Sequence, residues 1–312
     1  MTKEKNIIVG TRASLLAMTQ TKQTCEIIFN QGFNYVLKKI ITSGDIEQNK
    51  TFSEFGRQAI FSKELDEALL NHECDIAIHS FKDLTGEIPK GLKLQMLCNQ
   101  VDAHDCFVSN KYKKINDLPA GAVIGTSSVR RFSILKKHYP HLVIKPIRGN
   151  VDTRIMKMQK GDYDAILLAK AGLIRLNKKN MIASDLDKKI FTPPLGQGLI
   201  AVVTRDEKNI FEYLNKNKII DYFDVILCLK KIISSYEGGC SLPFGLEIQS
   251  VNEKLCFNVY LGNAVDNTEV RFSMYHHGES LDILEDRFRT MMEKNNAQSI
   301  CNSMKNFKIS YE

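Results

Sequence analysis

Residues 122–169 read AVIGTSSVRRFSILKKHYPHLVIKPIRGNVDTRIMKMQKGDYDAILLA. An apolar run over 122–125 ends in Gly125, and three small hydroxyl residues, Thr126, Ser127 and Ser128, lead into a helical pattern over 128–137. Hydroxyl side chains at such a junction accept from the free N–H groups of a helix's first turn. The cycle then repeats, with a strand over 142–147, a helix over 151–160, a strand over 165–169 and a helix near 171–176. Strands that alternate with helices of this length pair in parallel, and their crossovers cover both faces of the sheet. Ligands of such sheets bind at the carboxyl ends of the strands.

The same grammar precedes this stretch. A short β-run over 6–9 is followed by a helix that starts within 11–14 and continues to about 29. A strand over 35–41, an amphipathic helix over 62–71 with Leu65, Ala68 and Leu69 on one face, and a buried-type strand over 75–79 complete the block. Two α/β domains facing a cleft are expected, one over 1–98 with 197–217 and one over 103–193. The segment Thr192-Pro193-Pro194-Leu195-Gly196 reads as the return crossing. From 221 to 312 the character changes to antiparallel strands over 255–261 and 269–274 and a helix over 281–294, a small α+β domain. No internal sequence repeat is evident.

Composition narrows the class. The 312 residues are 43% hydrophobic and 25% charged, ordinary values for a globular chain with room for two or three domains. The apolar run at Ile7 to Gly10 is too short for a signal peptide, and no apolar window reaches membrane-spanning length. A cytosolic location is therefore expected, with the eight cysteines as free thiols. No two of them form a Cys-x-x-Cys pair, so no zinc or redox motif is spelled out. The net charge of +7 is compatible with nucleic acid, an anionic membrane or an acidic small molecule. Placement of the arginines decides among these.

Four segments carry chemistry. Ile78-His79-Ser80-Phe81-Lys82-Asp83-Leu84 follows a buried strand, and a carboxylate there can hold a proton or a developing cation in a shielded cleft; the plain alternative is a surface Lys–Asp pair. Gly125-Thr126-Ser127-Ser128-Val129-Arg130-Arg131 puts two arginines in a helix's first turn, where they oppose the helix dipole. An anion bound at that N-terminus removes the penalty, whereas a simple cap with solvated arginines does not. Ile147-Arg148-Gly149-Asn150-Val151-Asp152-Thr153-Arg154 repeats the arrangement. With Arg12 and Arg175, each strand end offers a guanidinium, and guanidinium forks match carboxylates. That distribution points to a polycarboxylate in a cleft; nucleic acid calls for a basic face with interleaved aromatics. Finally, Glu237-Gly238-Gly239-Cys240-Ser241-Leu242-Pro243 describes a tight loop bearing either a reactive thiol or an ordinary loop cysteine. The seven histidines show no paired metal-ligand spacing, no metal site is expected, and His276-His277 reads as a surface turn.

Taken in order and at these separations, the segments resemble those of the hydroxymethylbilane synthases (porphobilinogen deaminases). The resemblance runs from Ile7 to at least Gly245. It also includes Gly10-Thr11-Arg12-Ala13-Ser14-Leu15-Leu16-Ala17, Phe61-Ser62-Lys63-Glu64-Leu65, and Leu195-Gly196-Gln197-Gly198. It implies an α/β fold of two periplasmic-binding-protein-like doubly wound domains around a cleft plus a small C-terminal α+β domain. It implies a covalent dipyrromethane cofactor on Cys240 and Asp83 as the catalytic carboxylate. Cofactor contacts then fall to Lys82, Asp83, Thr126, Ser128, Arg130, Arg131 and Asn150. Substrate contacts fall to Arg12, Ser14, Arg148, Arg154, Arg175 and Gln197. The implied activity joins four porphobilinogen molecules, each losing ammonia to give an azafulvenium-like cation, and releases hydroxymethylbilane for haem biosynthesis. The implied protein is a monomer with a small-molecule substrate and neither nucleic-acid nor membrane partners.

Several positions depart from the family pattern. Glu54 and Gln58 stand where lysines are usual, with Arg57 adjacent; His104 replaces a common arginine, and Thr85 a common proline. Two other readings remain to be weighed. A solute-binding receptor for a polycarboxylate on the same fold would need a signal peptide or lipoprotein cysteine, and Cys25 is badly placed for that. A regulator's effector domain would bring a DNA-reading segment. Both leave Asp83 and Cys240 without a role.

Overall fold

A computed structural model describes residues 6–29, 34–42, 62–207, 222–236, 242–304 and 307. They fall into two compact units, Met1–Val101 with Gly198–Phe223 and Asp102–Gln197 with Asp224–Glu312.

The first unit is built on a five-stranded sheet. Its strands are β1 (Ile7–Arg12), β2 (Tyr35–Ile40), β3 (Ile76–Ser80), β4 (Leu92–Cys98) and β10 (Ile200–Arg205), in the order β2-β1-β3-β10-β4. β1 runs parallel to β2 and β3, and β10 lies antiparallel to both β3 and β4. Val9, Ile76, Ile78, Met96, Ile200 and Val202 share a core with Cys25 and Ile28 of the helix Leu15–Ile28. β1 extends three residues beyond the expected run because Gly10, Thr11 and Arg12 pair with Lys38, Lys39 and Ile40. A Cβ on Gly10 would come within 2.9 Å of Cys74 Sγ, so the strand needs glycine there to lie against that buried thiol. The helix consequently starts after Ser14, whose side chain accepts from Ala17 N at 3.3 Å.

In the second unit the sheet order is β7-β6-β8-β5-β9. The strands are β5 (Asp105–Val108), β6 (Val123–Gly125), β7 (Val143–Lys145), β8 (Ala165–Ala169) and β9 (Ser184–Asp185). β6 is parallel to β7 and β8, while β5 runs antiparallel to β8. Alternation along the strands supplies two cores. Cys106, Val108, Ile166 and Leu168 meet Ile155, Met158 and Leu173 on one face, and Phe107, Ala165 and Leu167 meet Ile134, Leu135 and Phe191 on the other.

Three antiparallel strands follow, β11 (Phe244–Val251), β12 (Lys254–Gly262) and β13 (Glu269–His276), covered by helices Leu281–Lys294 and Ala297–Met304. The β11–β12 hairpin turns at Asn252 and Glu253, both at positive φ, as a two-residue turn of this hand requires. Tyr260 of β12 is fully buried in the same core as Phe107 and Ile134, so this sheet and the second α/β sheet share their interior.

The expectations omitted β4, β5, β9, β10, β11 and the helices Phe223–Ser235 and Ala297–Met304. β10 in the first sheet and β5 in the second run antiparallel to β3 and β8, where mostly parallel sheets were expected. His276 is another correction. It closes β13, lies 3.2 Å from Glu279 and stacks on Phe257, because the strand continues two residues past the expected end. Among the described residues no helix is long and apolar enough to cross a membrane.

Where the chain leaves and re-enters the first unit, Val101 N donates to Gly198 O at 3.1 Å. Gly198 has φ +93°, and a Cβ there would lie 2.2 Å from Val101 O. Gly198→Ala is expected to cost about 3 kcal/mol, through strain at positive φ plus a clash with backbone that cannot yield. Urea unfolding checks this; a loss below about 1 kcal/mol would contradict it.

Candidate functional site

Two arrays of polar side chains stand at the carboxyl ends of parallel strands, one in each unit. In the first unit β1 ends in Arg12, and Ser14 caps the following helix. β3, its parallel neighbour, ends in Ser80 and passes into the 3-10 turn Phe81–Asp83. Phe81 N donates to Leu199 O at 3.0 Å and Leu84 N to Phe81 O at 3.1 Å, and both side chains are buried. Lys82 and Asp83 are thus held, half-buried, between two apolar anchors. Gln20 and Ser80 exchange side-chain hydrogen bonds behind them.

His79 lies under this turn. Its imidazole is buried, which pulls it down to about 4, with the Arg12 charge adding to the effect. Asp66, on the helix Lys63–Leu70, is 4.0 Å away and is pushed up to about 7 by burial, against the opposing effect of a Ser62 hydrogen bond. Between pH 4 and 7 both groups are therefore neutral, and no ion pair forms behind the strand end.

The second unit carries the larger array. Thr126, Ser127 and Ser128 leave β6: Ser128 Oγ accepts from Arg131 N at 3.4 Å, and Ser127 Oγ exchanges hydrogen bonds with the Ile147 backbone. After β7, Asn150 caps the helix Val151–Gln159 by accepting from Thr153 N at 2.9 Å. Arg154 Nε donates to Gly149 O at 2.8 Å. Arg175 is buried on the helix Lys170–Arg175 that follows β8.

Asp105 organises this end of the sheet. Because β5 is antiparallel, its first residue lies opposite Ala169, the last of β8, and so reaches the end where the parallel strands finish. Its fully buried carboxylate accepts from Arg130 Nη2 at 2.7 Å, Arg131 Nη2 at 2.6 Å and Gln197 Nε2 at 2.9 Å. Burial alone would raise the Asp105 carboxyl; Arg130 and Arg131 outweigh it and hold the group well below the usual carboxylate range. Arg130 also donates to Thr192 O and Arg131 to Leu167 O.

One carboxylate thus compensates two guanidinium groups, with further cations close by. Arg154 is pulled down to about 10, by burial first and then by Arg131 and Arg148. The buried Arg131 Nε has no hydrogen-bond partner. Surplus positive charge and an open donor suit a ligand with several carboxylates, so the residues present fit an acidic pyrrole cofactor on the test of donor chemistry.

Asp102, His104 and Asp185 bring three ligand atoms within 4.8 Å of one another. The Lys170 ammonium already pairs with Asp102 at 2.9 Å and Asp185 at 2.5 Å, and supplies the positive charge there. His104, in its departure from the family pattern, turns Nδ1 to Asp102.

The structure therefore gathers Arg12, Ser14, Lys82 and Asp83 at one strand edge, and Thr126, Ser128, Arg130, Arg131, Arg148, Asn150, Arg154, Arg175 and Gln197 at the other. Arg130, Arg131 and Gln197 each give a donor to Asp105, which fixes their orientation, and the buried Arg131 Nε is left without a partner. Cys240, Glu54, Arg57, Gln58 and Phe61 lie outside the described residues. Asp105 was missed as an organiser; the signal available was a charged residue opening the fully buried run Cys106-Phe107-Val108.

Two substitutions probe these arrangements. Asp105→Asn leaves two buried cations uncompensated and is expected to cost about 3–5 kcal/mol in urea unfolding at pH 7. The Asp105 contribution is complete above the unfolded carboxyl value near pH 4 and is lost as pH falls below it, so the deficit should shrink on acidification. Asp66 has the opposite sign. The folded protein keeps its proton to about pH 7 while the unfolded chain releases it near pH 4, so wild-type stability from this group falls across that window. Asp66→Asn should gain stability relative to wild type from pH 4 to 7 and hold that gain above; a flat difference would refute the assignment.

Residues 7–212 match the family model described as porphobilinogen deaminase, dipyromethane cofactor binding domain. The porphobilinogen deaminase of Buchnera aphidicola subsp. Acyrthosiphon pisum (strain Tuc7) is 37% identical over 307 residues, 96% of each chain. That of Geobacillus sp. (strain WCH70) is 39% identical over 243 residues, covering 77% of this chain and 78% of its own. That of Ehrlichia canis (strain Jake) is 39% identical over 254 residues, 79% and 84%. Among solved structures, the BvgS VFT2 domain of Bordetella pertussis overlays 72% of this chain and 91% of its own at 14% identity, with a TM-score of 0.40. On the family match and the shared length of these relatives, the chain belongs to the porphobilinogen deaminase family, transferases of tetrapyrrole biosynthesis that build hydroxymethylbilane on a dipyrromethane cofactor.

Proposed function

We propose that the two arrays divide the labour of this reaction, with Asp83 as the catalytic carboxylate and the second unit's arginines as the holders of acidic side chains. The observation that carries the division is the guanidinium cluster around Asp105, whose positive charge exceeds its one buried carboxylate.

In this reading Arg130, Arg131, Arg148, Arg154 and Arg175 pair with the acetate and propionate groups that every pyrrole of the series carries. Thr126, Ser128 and Asn150 add neutral donors at two helix N-termini. Gln197 secures Asp105 and Ala103 O, and so keeps the arginines in register. In the first unit Arg12 and Ser14 receive the incoming porphobilinogen. Asp83 accepts from its pyrrole N–H and stabilises the positive charge that grows on the substrate as its aminomethyl C–N bond breaks and ammonia leaves. Lys82, beside it, balances the carboxylate and offers a donor to a substrate carboxylate. When bound through Cys240, the dipyrromethane supplies the free pyrrole α-carbon to which porphobilinogen is joined.

The reading extends to a monomer in the cytoplasm with porphobilinogen as its partner and neither nucleic acid nor membrane involved. The seven described cysteines are all free, which suits a reducing compartment.

The test uses purified protein and porphobilinogen, following ammonia and hydroxymethylbilane together. Four ammonia per product are expected from the wild type. Asp83→Asn keeps the shape and loses the charge, so kcat should fall by about 100-fold or more with KM changed little. Retention of half the activity by Asp83→Asn would remove the proposed role.

A further inference from the structure

Arg271 of the C-terminal sheet grips the turn that carries Thr192, a partner of the arginine cluster. Arg271 sits on β13 opposite Tyr260 of β12, and its guanidinium stacks on the Tyr260 ring, 4.5 Å from the centroid. All five of its N–H groups are used. Nε donates to Glu269 Oε1 at 3.1 Å, Nη1 to Lys189 O at 2.6 Å and to Thr192 Oγ1 at 3.2 Å, and Nη2 to Ile190 O at 2.7 Å and Glu269 Oε2 at 3.5 Å. Three of these bonds grip the turn over 189–192. Lysine offers three donors on one nitrogen and cannot reproduce the fork.

Thr192 passes this grip on in two directions. Its carbonyl oxygen accepts from Arg130 Nη1 at 2.8 Å, the guanidinium that Asp105 holds from the other side. Its backbone also seats the start of β11. A Cβ on Gly245 would lie 2.5 Å from Thr192 O, and Leu246 N donates to Pro193 O at 2.8 Å. Tyr260, which Arg271 covers, is buried beside Ser133, three residues beyond Arg130 on the same helix; Gly262 has no room for a Cβ between the two hydroxyls.

We infer that Arg271 is a positioning residue for Arg130: it clamps the turn over 189–192 so that Thr192 O fixes the Arg130 guanidinium against Asp105 and, with it, the seat of β11. This rests on the proposed role of Arg130 as a cofactor contact. Arg271 touches neither substrate nor cofactor in this account and acts through Thr192.

The experiment follows the rate at which primer-free protein, incubated with porphobilinogen, acquires the mass of two added units. Arg271→Lys is expected to slow acquisition about ten-fold, and Thr192→Val, which removes the hydroxyl that accepts from Arg271 and donates to Lys188 O but keeps the Thr192 carbonyl, to slow it less but in the same direction. Glu247→Gln is the control. It weakens the 2.6 Å Lys188–Glu247 ion pair, another tie between β11 and the segment that leads into the turn over 189–192, and it leaves every hydrogen bond of Arg271 and Arg130 in place. It should lower the thermal midpoint and leave acquisition within two-fold of wild type. Equal slowing by Arg271→Lys and Glu247→Gln, or no slowing by Arg271→Lys and Thr192→Val, would overturn the inference. Failure of the wild type to gain mass would instead overturn the functional reading beneath it.

Discussion

A single buried carboxylate, Asp105, fixes the charge layout of the second unit. It accepts three side-chain hydrogen bonds, two of them from arginines that are themselves nearly sealed from solvent. Burying two guanidinium groups without it would be prohibitive, and with it the cluster still carries excess positive charge. In the proposed function that excess is what the acidic ligand meets. Charges held in fixed positions away from water attract an acidic ligand more strongly than solvated ones and need no rearrangement when it arrives.

The sheet topology makes this possible. An all-parallel sheet would place Asp105 at the opposite end of its strand from the arginines. Reversing β5 brings its first residue beside the last residue of β8, at the end from which Thr126 to Arg131 and Arg148 to Arg154 depart. In the first unit β10, reversed relative to β3, puts Leu199 where its carbonyl fixes Phe81 and so aims Lys82 and Asp83. In both units a reversed strand shapes the end at which the parallel strands finish.

Much of this was legible in the sequence. The βα cycle over 122–169 gave β6, β7 and β8 and their helices to within a few residues, because hydrophobic runs and capping hydroxyls agree there. The strand ends bearing Arg12, Lys82, Asp83, Arg130 and Arg148 followed from the same cycle. Antiparallel β5 and β10 were not legible: a short, fully buried strand such as Asp105-Cys106-Phe107-Val108 has no alternation to mark it, and direction is a tertiary property. The commitment of Arg130 and Arg131 to Asp105 was hidden for the same reason, since it depends on which strand lies beside β8. His276 misled because a polar residue after Met274 looks like a turn, whereas Phe257 and Glu279 supply it with packing and a partner.

The central claim is that this framework exists to hold an acidic pyrrole chain grown from Cys240. The most direct test is the intact mass of protein purified from cells that make porphobilinogen, beside a Cys240→Ser control. The account predicts an excess equal to two porphobilinogen units less two ammonia, absent from the control. An unmodified mass that stays unmodified after incubation with porphobilinogen would contradict it.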